Sequence, residues 1–227
     1  MGRLELVKQL SCNGQGELVL VQSPENRAHV EAFIRDRFLH EHGAKPHHFA
    51  PHLVALTDTH NQIQACLGYQ GAHEGELFLE QYLDQPVEAL ISRLEGAPVQ
   101  RRAILEVGNL ASRYSGCTRR VILSLARYFC EQQYQWLVIT ATPRVLNTFS
   151  KLGVGLELIP LANARPERLG SHAADWGRYY DSQPQVVAAR FSSGLQKLFA
   201  NPLFRQLMRR SPRPHSDQGI LIAGAVA

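Results

Sequence analysis

The chain lacks most of the features that would settle its class at a glance. Only 19% of its 227 residues are charged and 8% are aromatic. Its four cysteines, Cys12, Cys66, Cys117 and Cys130, lie far apart with no CxxC pair. That spacing excludes a disulfide framework and a zinc knuckle, and makes a reducing cytoplasm the expected compartment. No apolar run approaches the roughly 18 residues needed to span a bilayer. The opening Met1-Gly2-Arg3-Leu4-Glu5 has no charged stretch leading into an apolar one, so no secretory signal is expected. GxxxxGK(S/T), HExxH and GxSxG are absent, and no GxGxxG follows a strand. A P-loop, a Rossmann fingerprint, a zincin and a nucleophile-elbow lipase are thereby excluded.

What is present is enough apolar residue, 44%, to bury a core. The length fits one large domain, or one domain with an appendage. Charge is unevenly placed. The chain is +4 overall, yet from Pro184 onward six cations stand against Asp217 alone, giving +5 there and −1 for the first 183 residues. A basic footprint confined to one end argues against a nucleic-acid-binding core. A basic end also suits an acidic membrane surface or an acidic partner.

Hydrophobic periodicity predicts an order of elements. Glu17–Gln22 reads as a strand. Ser23 and Pro24 then open a helix carrying Val30, Phe33, Ile34 and Phe38 and closing at Gly43. Leu53–Thr57 and Ile63–Gly68 read as strands joined by the turn residues Asp58–Asn61. A short helix follows Pro86. Ala103–Ala111 is a strand interrupted by Gly108, a mark of a bulge or a close backbone approach. After the polar loop Ser112-Arg113-Tyr114-Ser115-Gly116 comes a helix, about Cys117–Gln133. Trp136–Thr140 is a continuous apolar strand, as for one covered on both faces. Pro143 opens another helix that ends at Gly153, and Leu156–Ile159 and Val186–Phe191 are further strands. The fold class expected is α/β (α+β): hairpin strands first, βαβ units last, in a mixed sheet. Gly155–Ser182 reads as looser, Ser192–Arg210 as a basic amphipathic helix broken near Pro202, and Gly219–Ala227 as mobile.

Strand, glycine-bearing polar loop, then helix is an anion-binding geometry. The first N–H groups of a helix lack internal partners and its dipole is positive there. Arg113, Arg119 and Arg120 crowd that terminus, where cations oppose the dipole; they are either a solvated turn or the clamp of a diphosphate.

Arg113-Tyr114-Ser115-Gly116-Cys117-Thr118 resembles the acyl-CoA pyrophosphate loop of GNAT acyltransferases, (Q/R)xxGx(G/A), with Thr118 in place of the last small residue. That resemblance implies a mostly antiparallel twisted sheet flanked by helices. In it, Glu106–Leu110 is a bulged strand from which the Trp136–Thr140 strand splays to admit a pantetheine arm. It also implies Asn147 near the pantetheine. Phe149 stands where many such enzymes carry a tyrosine that protonates the leaving thiolate. The runs His29–Arg35, Phe49–Leu53, Leu77–Leu83, Glu106–Ala111, Thr140–Thr142 and Trp176–Tyr180 are similar to the thermostable hemolysin family over about residues 18–195. The layout also resembles acyl-homoserine-lactone synthases in Arg35, Phe38 and Glu106, though Asn109 replaces the arginine of their E-x-x-R.

These resemblances imply an N-acyltransferase domain over 17–191, after an N-terminal segment 1–16 and before a helical, basic extension 192–227. The co-substrate implied is acyl-CoA or the acyl-4'-phosphopantetheine of acyl carrier protein, with a small amine as acceptor, no metal and no nucleic acid. Peripheral contact with the inner membrane face through the tail is a further expectation. Glu106 and Asn109 are the candidate catalytic residues. Leu110, Ala111, Ser112, Arg113, Ser115, Gly116, Cys117, Thr118, Arg119 and Asn147 are candidates for the donor. Arg35, Phe38 and Thr140 are candidates for substrate. Bland alternatives stand beside them: Glu106 in an ion pair with Arg101 or Arg102, Arg35 on a solvent face, Glu80 and Tyr82 in loop packing, Cys117 as a packing residue. His40, His42, His47, His48 and His52 read as a surface cluster, since no metal-binding spacing accompanies them. Trp176, Tyr179 and Tyr180 read as an aromatic core patch or an acyl pocket. The competing functions are a membrane-active protein working through its cationic tail and a non-catalytic acyl-binding module.

Overall fold

The computed structural model describes residues 16–151, 157–191, 215–216 and 222. Among them are the strands β1 (Glu17–Val21), β2 (His52–Thr57), β3 (Ile63–Gly71), β4 (Ile104–Ser112), β5 (Trp136–Ala141), β6 (Leu158–Asn163), β7 (Gln185–Arg190) and β8 (His215–Ser216). These form one sheet in the order β6-β7-β5-β4-β3-β2-β1-β8. The helices are α1 (Pro24–His42), α2 (Val87–Glu95), α3 (Ser115–Glu131) and α4 (Pro143–Ser150). Pairing is antiparallel except for β4 with β5 and β1 with β8. The expectation of several βαβ units reduces to one, β4-α3-β5: two parallel neighbours cannot be joined by a tight turn and need a crossover. β6 begins two residues later than its apolar run suggests. The predicted end of the fourth helix at Gly153 and the tail helix lie outside the described residues.

Local chemistry sets the boundaries of α1. The Ser23 hydroxyl accepts the Asn26 N–H at 3.2 Å, Pro24 occupies the first turn, and Gly43 closes the helix at φ 65°. Side chains alternate across the sheet with the period of two that strands impose. Val54 and Leu56 of β2, with Leu105 and Val107 of β4, pack under Val121, Leu125 and Phe129 of α3. Leu53 and Ala55 face the other way, against Val30, Phe33 and Ile34 of α1. Farther along that second face Ile104, Val138 and Ala188 meet Leu79, Val87 and Ile91. Each such apolar side chain contributes about 1.5–3 kcal/mol by leaving water. Glu106, two residues after Ile104, shares its face and falls between the two clusters there. Of the stretch 219–227, expected to be mobile, only Ile222 is among the described residues. β8 pairs with β1, and Ile222 is fully buried near Phe33 with its N–H donated to the Asn26 side chain at 2.7 Å.

Candidate active site

The β4–β5 ladder runs from Ile104↔Trp136 to Val107↔Ile139 and stops, although β4 continues to Ser112 and β5 to Ala141. Beyond Val107 that edge of β4 has no neighbouring strand among the described residues. Against β3 the register slips between Gly68↔Gly108 and Cys66↔Ala111, so β4 holds one extra residue there. Asn109 takes up the slack at φ 48°. The left-handed region is costly for most residues and tolerated by asparagine. The bulge therefore sits one residue past the glycine expected to mark it.

The bulge has a tertiary purpose. Asn109 Oδ1 accepts the Ala50 N–H at 2.9 Å and its Nδ2 donates to the His48 carbonyl at 3.2 Å. Across the ladder, a Cβ on Gly68 would lie 2.7 Å from the Ala50 Cβ and 2.9 Å from Asn109 Oδ1, so glycine leaves room for the clip. Asn109, expected as catalytic, lines the cavity and commits both polar atoms of its amide to the 48–50 loop.

A cavity of about 720 Å³ opens along the parted strands, within the range of small-molecule sites. Glu106 lies in its wall, 8% exposed. Its Oε1 accepts the Leu79 N–H at 3.1 Å, and the Phe78 N–H also bonds the carboxylate. Burial pushes the Glu106 carboxyl up to about 8 against those two bonds. The ion pair offered as its bland role is not made. Arg101 instead donates to Glu80 at 2.8 and 2.9 Å and to Glu88 at 2.6 Å. Glu80, with the Leu77 and Val87 N–H groups also on its carboxylate, does the loop packing expected of it.

Aromatic rings form the next part of the wall. Phe38 meets Trp176 at 6.0 Å, Trp176 meets Phe78 at 5.7 Å, and His48 stacks on Phe78 at 4.6 Å. The turn carrying Trp176 docks on the end of α1, where the Arg178 N–H donates to the His42 carbonyl at 2.8 Å. Gly177 makes that approach possible: at φ 49° its Cβ would stand 2.5 Å from His42 O. Trp176 and Tyr179 thus line the cavity, while Tyr180 bonds Tyr82 through their hydroxyls at 2.6 Å. Of the five clustered histidines, His40, His47, His48 and His52 are exposed and His42 is half-buried. His40, His42 and His48 also line the cavity, and burial lowers the pKa of His42 and His48.

At the other end the cavity reaches Leu110, Ala111, Ser112, Arg113 and Thr118. The Ser112 and Thr118 hydroxyls bond each other at 2.6 Å, tying strand end to helix start. The Cys117 and Thr118 N–H groups turn back to Tyr114 O, and the Arg113 N–H pairs with Gln64 O. The first-turn N–H groups ahead of Cys117 have no intrahelical acceptor. The arginine clamp is corrected in part. Arg113 Nε is held by the Ile63 carbonyl at 2.9 Å and Arg120 Nη2 by the Gly16 carbonyl at 3.1 Å, so both have structural partners. The side chains of Ser115 and Arg119 lie outside the described residues. Cys117 is buried on the inner face of α3 and disulfide-bonded, which corrects the expectation of cysteines kept reduced.

Phe38 and Thr140 are brought to the cavity, the Thr140 hydroxyl buried there without a partner. Among the described residues Gly116, Cys117, Arg35 and Asn147 are not. Arg35 lies over the Phe49 ring at 4.6 Å and 3.4 Å from Glu31, and Asn147 is exposed on α4. Neither lines the cavity, whereas Arg37 and Thr148 do. Arg37 was legible in principle: it follows Ile34 by three residues and Val30 by seven, the spacing of the buried helical stripe. Among the described residues no group of histidine, cysteine and carboxylate side chains converges to hold a metal, and no helix is long and apolar enough to cross a membrane.

The thermostable hemolysin family matches residues 20–195. The chain belongs to that family. No curated protein matches this hemolysin-family chain. Among solved structures it is similar to the AHL synthase LasI, at 13% identity and TM-score 0.54 over 82% of this chain and 95% of that one. FeeM, an N-acyl amino acid synthase from uncultured soil microbes, gives 13% identity and 0.54 over 79% and 91%. The CoA-dependent acyl-homoserine lactone synthase BjaI, solved with SAM and isopentyl-CoA, gives 11% and 0.55 over 89% and 94%. This family member therefore has the GNAT-like acyltransferase fold.

Proposed function

We propose that the protein is an N-acyltransferase that moves an acyl group from acyl-CoA or acyl carrier protein to an amine. The observation that carries this reading is a buried carboxyl without a cation, Glu106, placed where β4 and β5 part over a cavity. An extended pantetheine arm can pair with the open edge of β4 as a further strand would. The donor's phosphate or diphosphate then falls to the start of α3, near Ser112, Arg113 and Thr118. The N–H groups near Leu110 polarise the thioester carbonyl. The amine nitrogen attacks, the C–N bond forms and the C–S bond breaks. Glu106 takes the amine's proton, directly or through water. Phe149 is buried in the core and offers no proton, so the thiolate, a good leaving group, departs unassisted. Phe38 and Thr140 contact the substrates in this scheme. The acyltransferase neighbours support the donor class. The test is thiol release by the full chain across a panel of acyl-CoA and acyl carrier protein donors with mixed amines, with Glu106→Gln as control. Donor-dependent turnover lost in that variant supports the reading; no turnover and no donor binding overturns it.

A further inference from the structure

Arg37 precedes Phe38 on α1 and lines the same cavity. Its side chain is 22% exposed, its Nε is buried with no hydrogen-bond partner, and its Nη2 has only a long 3.5 Å contact with Glu41. Glu41 is shared with the exposed Arg144 at 4.0 Å. A buried guanidinium N–H without an acceptor is the exception in folded proteins and calls for one. Nε and Nη2 form the edge of the guanidinium that takes a carboxylate in two parallel bonds. From this cation the touching rings of Phe38, Trp176 and Phe78 lead to the residue whose N–H bonds Glu106. The cavity thus offers a cation, an aromatic wall and a carboxyl in sequence.

The geometry points to an amino carboxylate, a free amino acid with an apolar body, as the acyl acceptor. Its carboxylate binds Arg37, its apolar part lies on the rings, and its ammonium meets Glu106. The chemistry rests on the acyl-transfer reading. The ammonium first gives one proton to solvent and attacks as the free amine; of its two remaining protons one stays on the new amide and one goes to Glu106, and the C–S bond breaks to release the thiolate. A diamine fits worse, because its second cation would face Arg37.

The test compares phenylalanine, its amide and phenethylamine as ligands of the full chain with CoA present, by ligand-observed NMR, and as acceptors in the acyl-transfer assay. The amino acid should bind at least tenfold tighter than its amide and show the same preference in kcat/KM. In Arg37→Gln that ratio should fall toward one, with Arg37→Lys between, since lysine keeps the charge and loses the fork. Equal binding of acid and amide, no amino-acid binding at all, or an Arg37→Gln variant that loses CoA as fully as the amino acid overturns the proposal. Carboxylate-selective binding without turnover supports the Arg37 subsite and fails the transferase reading; turnover indifferent to the carboxylate does the reverse.

Discussion

Glu80 and Glu106 bond backbone of the same turn and end in opposite states. Glu80 belongs to the Leu77–Tyr82 turn and Glu106 to β4; both side chains are largely withdrawn from water and both accept N–H groups of that turn. Burial raises the Glu80 carboxyl, but Arg101 and the Leu77 and Val87 N–H groups overcome it and hold that carboxyl below its ordinary value. Glu106 has two N–H groups and no cation, so burial prevails and its carboxyl rises to about 8. One carboxylate is a structural strut and the other is held protonated toward neutrality by burial, and the placement of one guanidinium separates them.

Replacing Glu106 with glutamine should have the largest effect, lowering acyl transfer 10²–10⁴-fold if the side chain is the base. The same variant should be no less stable. A carboxyl raised above its unfolded value near 4.5 favours the native state most below that pH and loses its contribution as pH rises through about 8. Thermal unfolding at pH 5, 7 and 9 should therefore show the glutamine variant gaining on the parent as pH climbs. A gap that stays constant with pH would show that Glu106 titrates normally.

Arg101→Met comes next. It strands the Glu80 carboxylate, a group that is nine-tenths buried, and should cost about 2–3 kcal/mol in denaturant unfolding. Adding Glu80→Gln should recover part of that loss. No recovery would mean that the arginine works by packing. Gly68→Ala should cost about 1–3 kcal/mol through overpacking against Ala50 and Asn109, and should raise KM by loosening the loop that carries His48. An unchanged KM would separate the clip from substrate binding. The smallest and most direct test gives Glu106 the cation that Glu80 has. A Cβ on Gly108 meets nothing within 4 Å, and Gly108 shares the Glu106 face, so Gly108→Lys should lower the Glu106 pKa by about 1 unit in a carboxyl NMR titration.

Much of this frame is legible in the amino-acid order. The Ser23-Pro24 start and Gly43 stop of α1 are the observed caps, and the runs read as β1, β2, β4 and β5 are strands within one or two residues. Glu106 was visible as a charge inside an apolar strand. Other features depended on contacts that no local pattern encodes. The bulge fell on Asn109 because its amide finds the 48–50 loop, some sixty residues away in sequence. Arg35 and Arg37 differ by about 200° around the helix; spacing puts Arg37 on the stripe of Val30 and Ile34, but only packing placed a cavity beside it. His42 reads as a surface residue, and only tertiary structure sets the rings of Phe38 and Tyr179 against it.

By itself, the order of residues determined the periodicities, the caps and the alternation that puts Glu106 on the same sheet face as Ile104, because these depend on backbone sterics and near neighbours. Tertiary structure alone decided where β4 and β5 part, that the Arg37 Nε is buried without a hydrogen-bond partner, and that Arg101 closes on Glu80 and not on Glu106. Those outcomes depend on distances between segments remote in the chain, and charge, desolvation and cavity shape are properties of such distances.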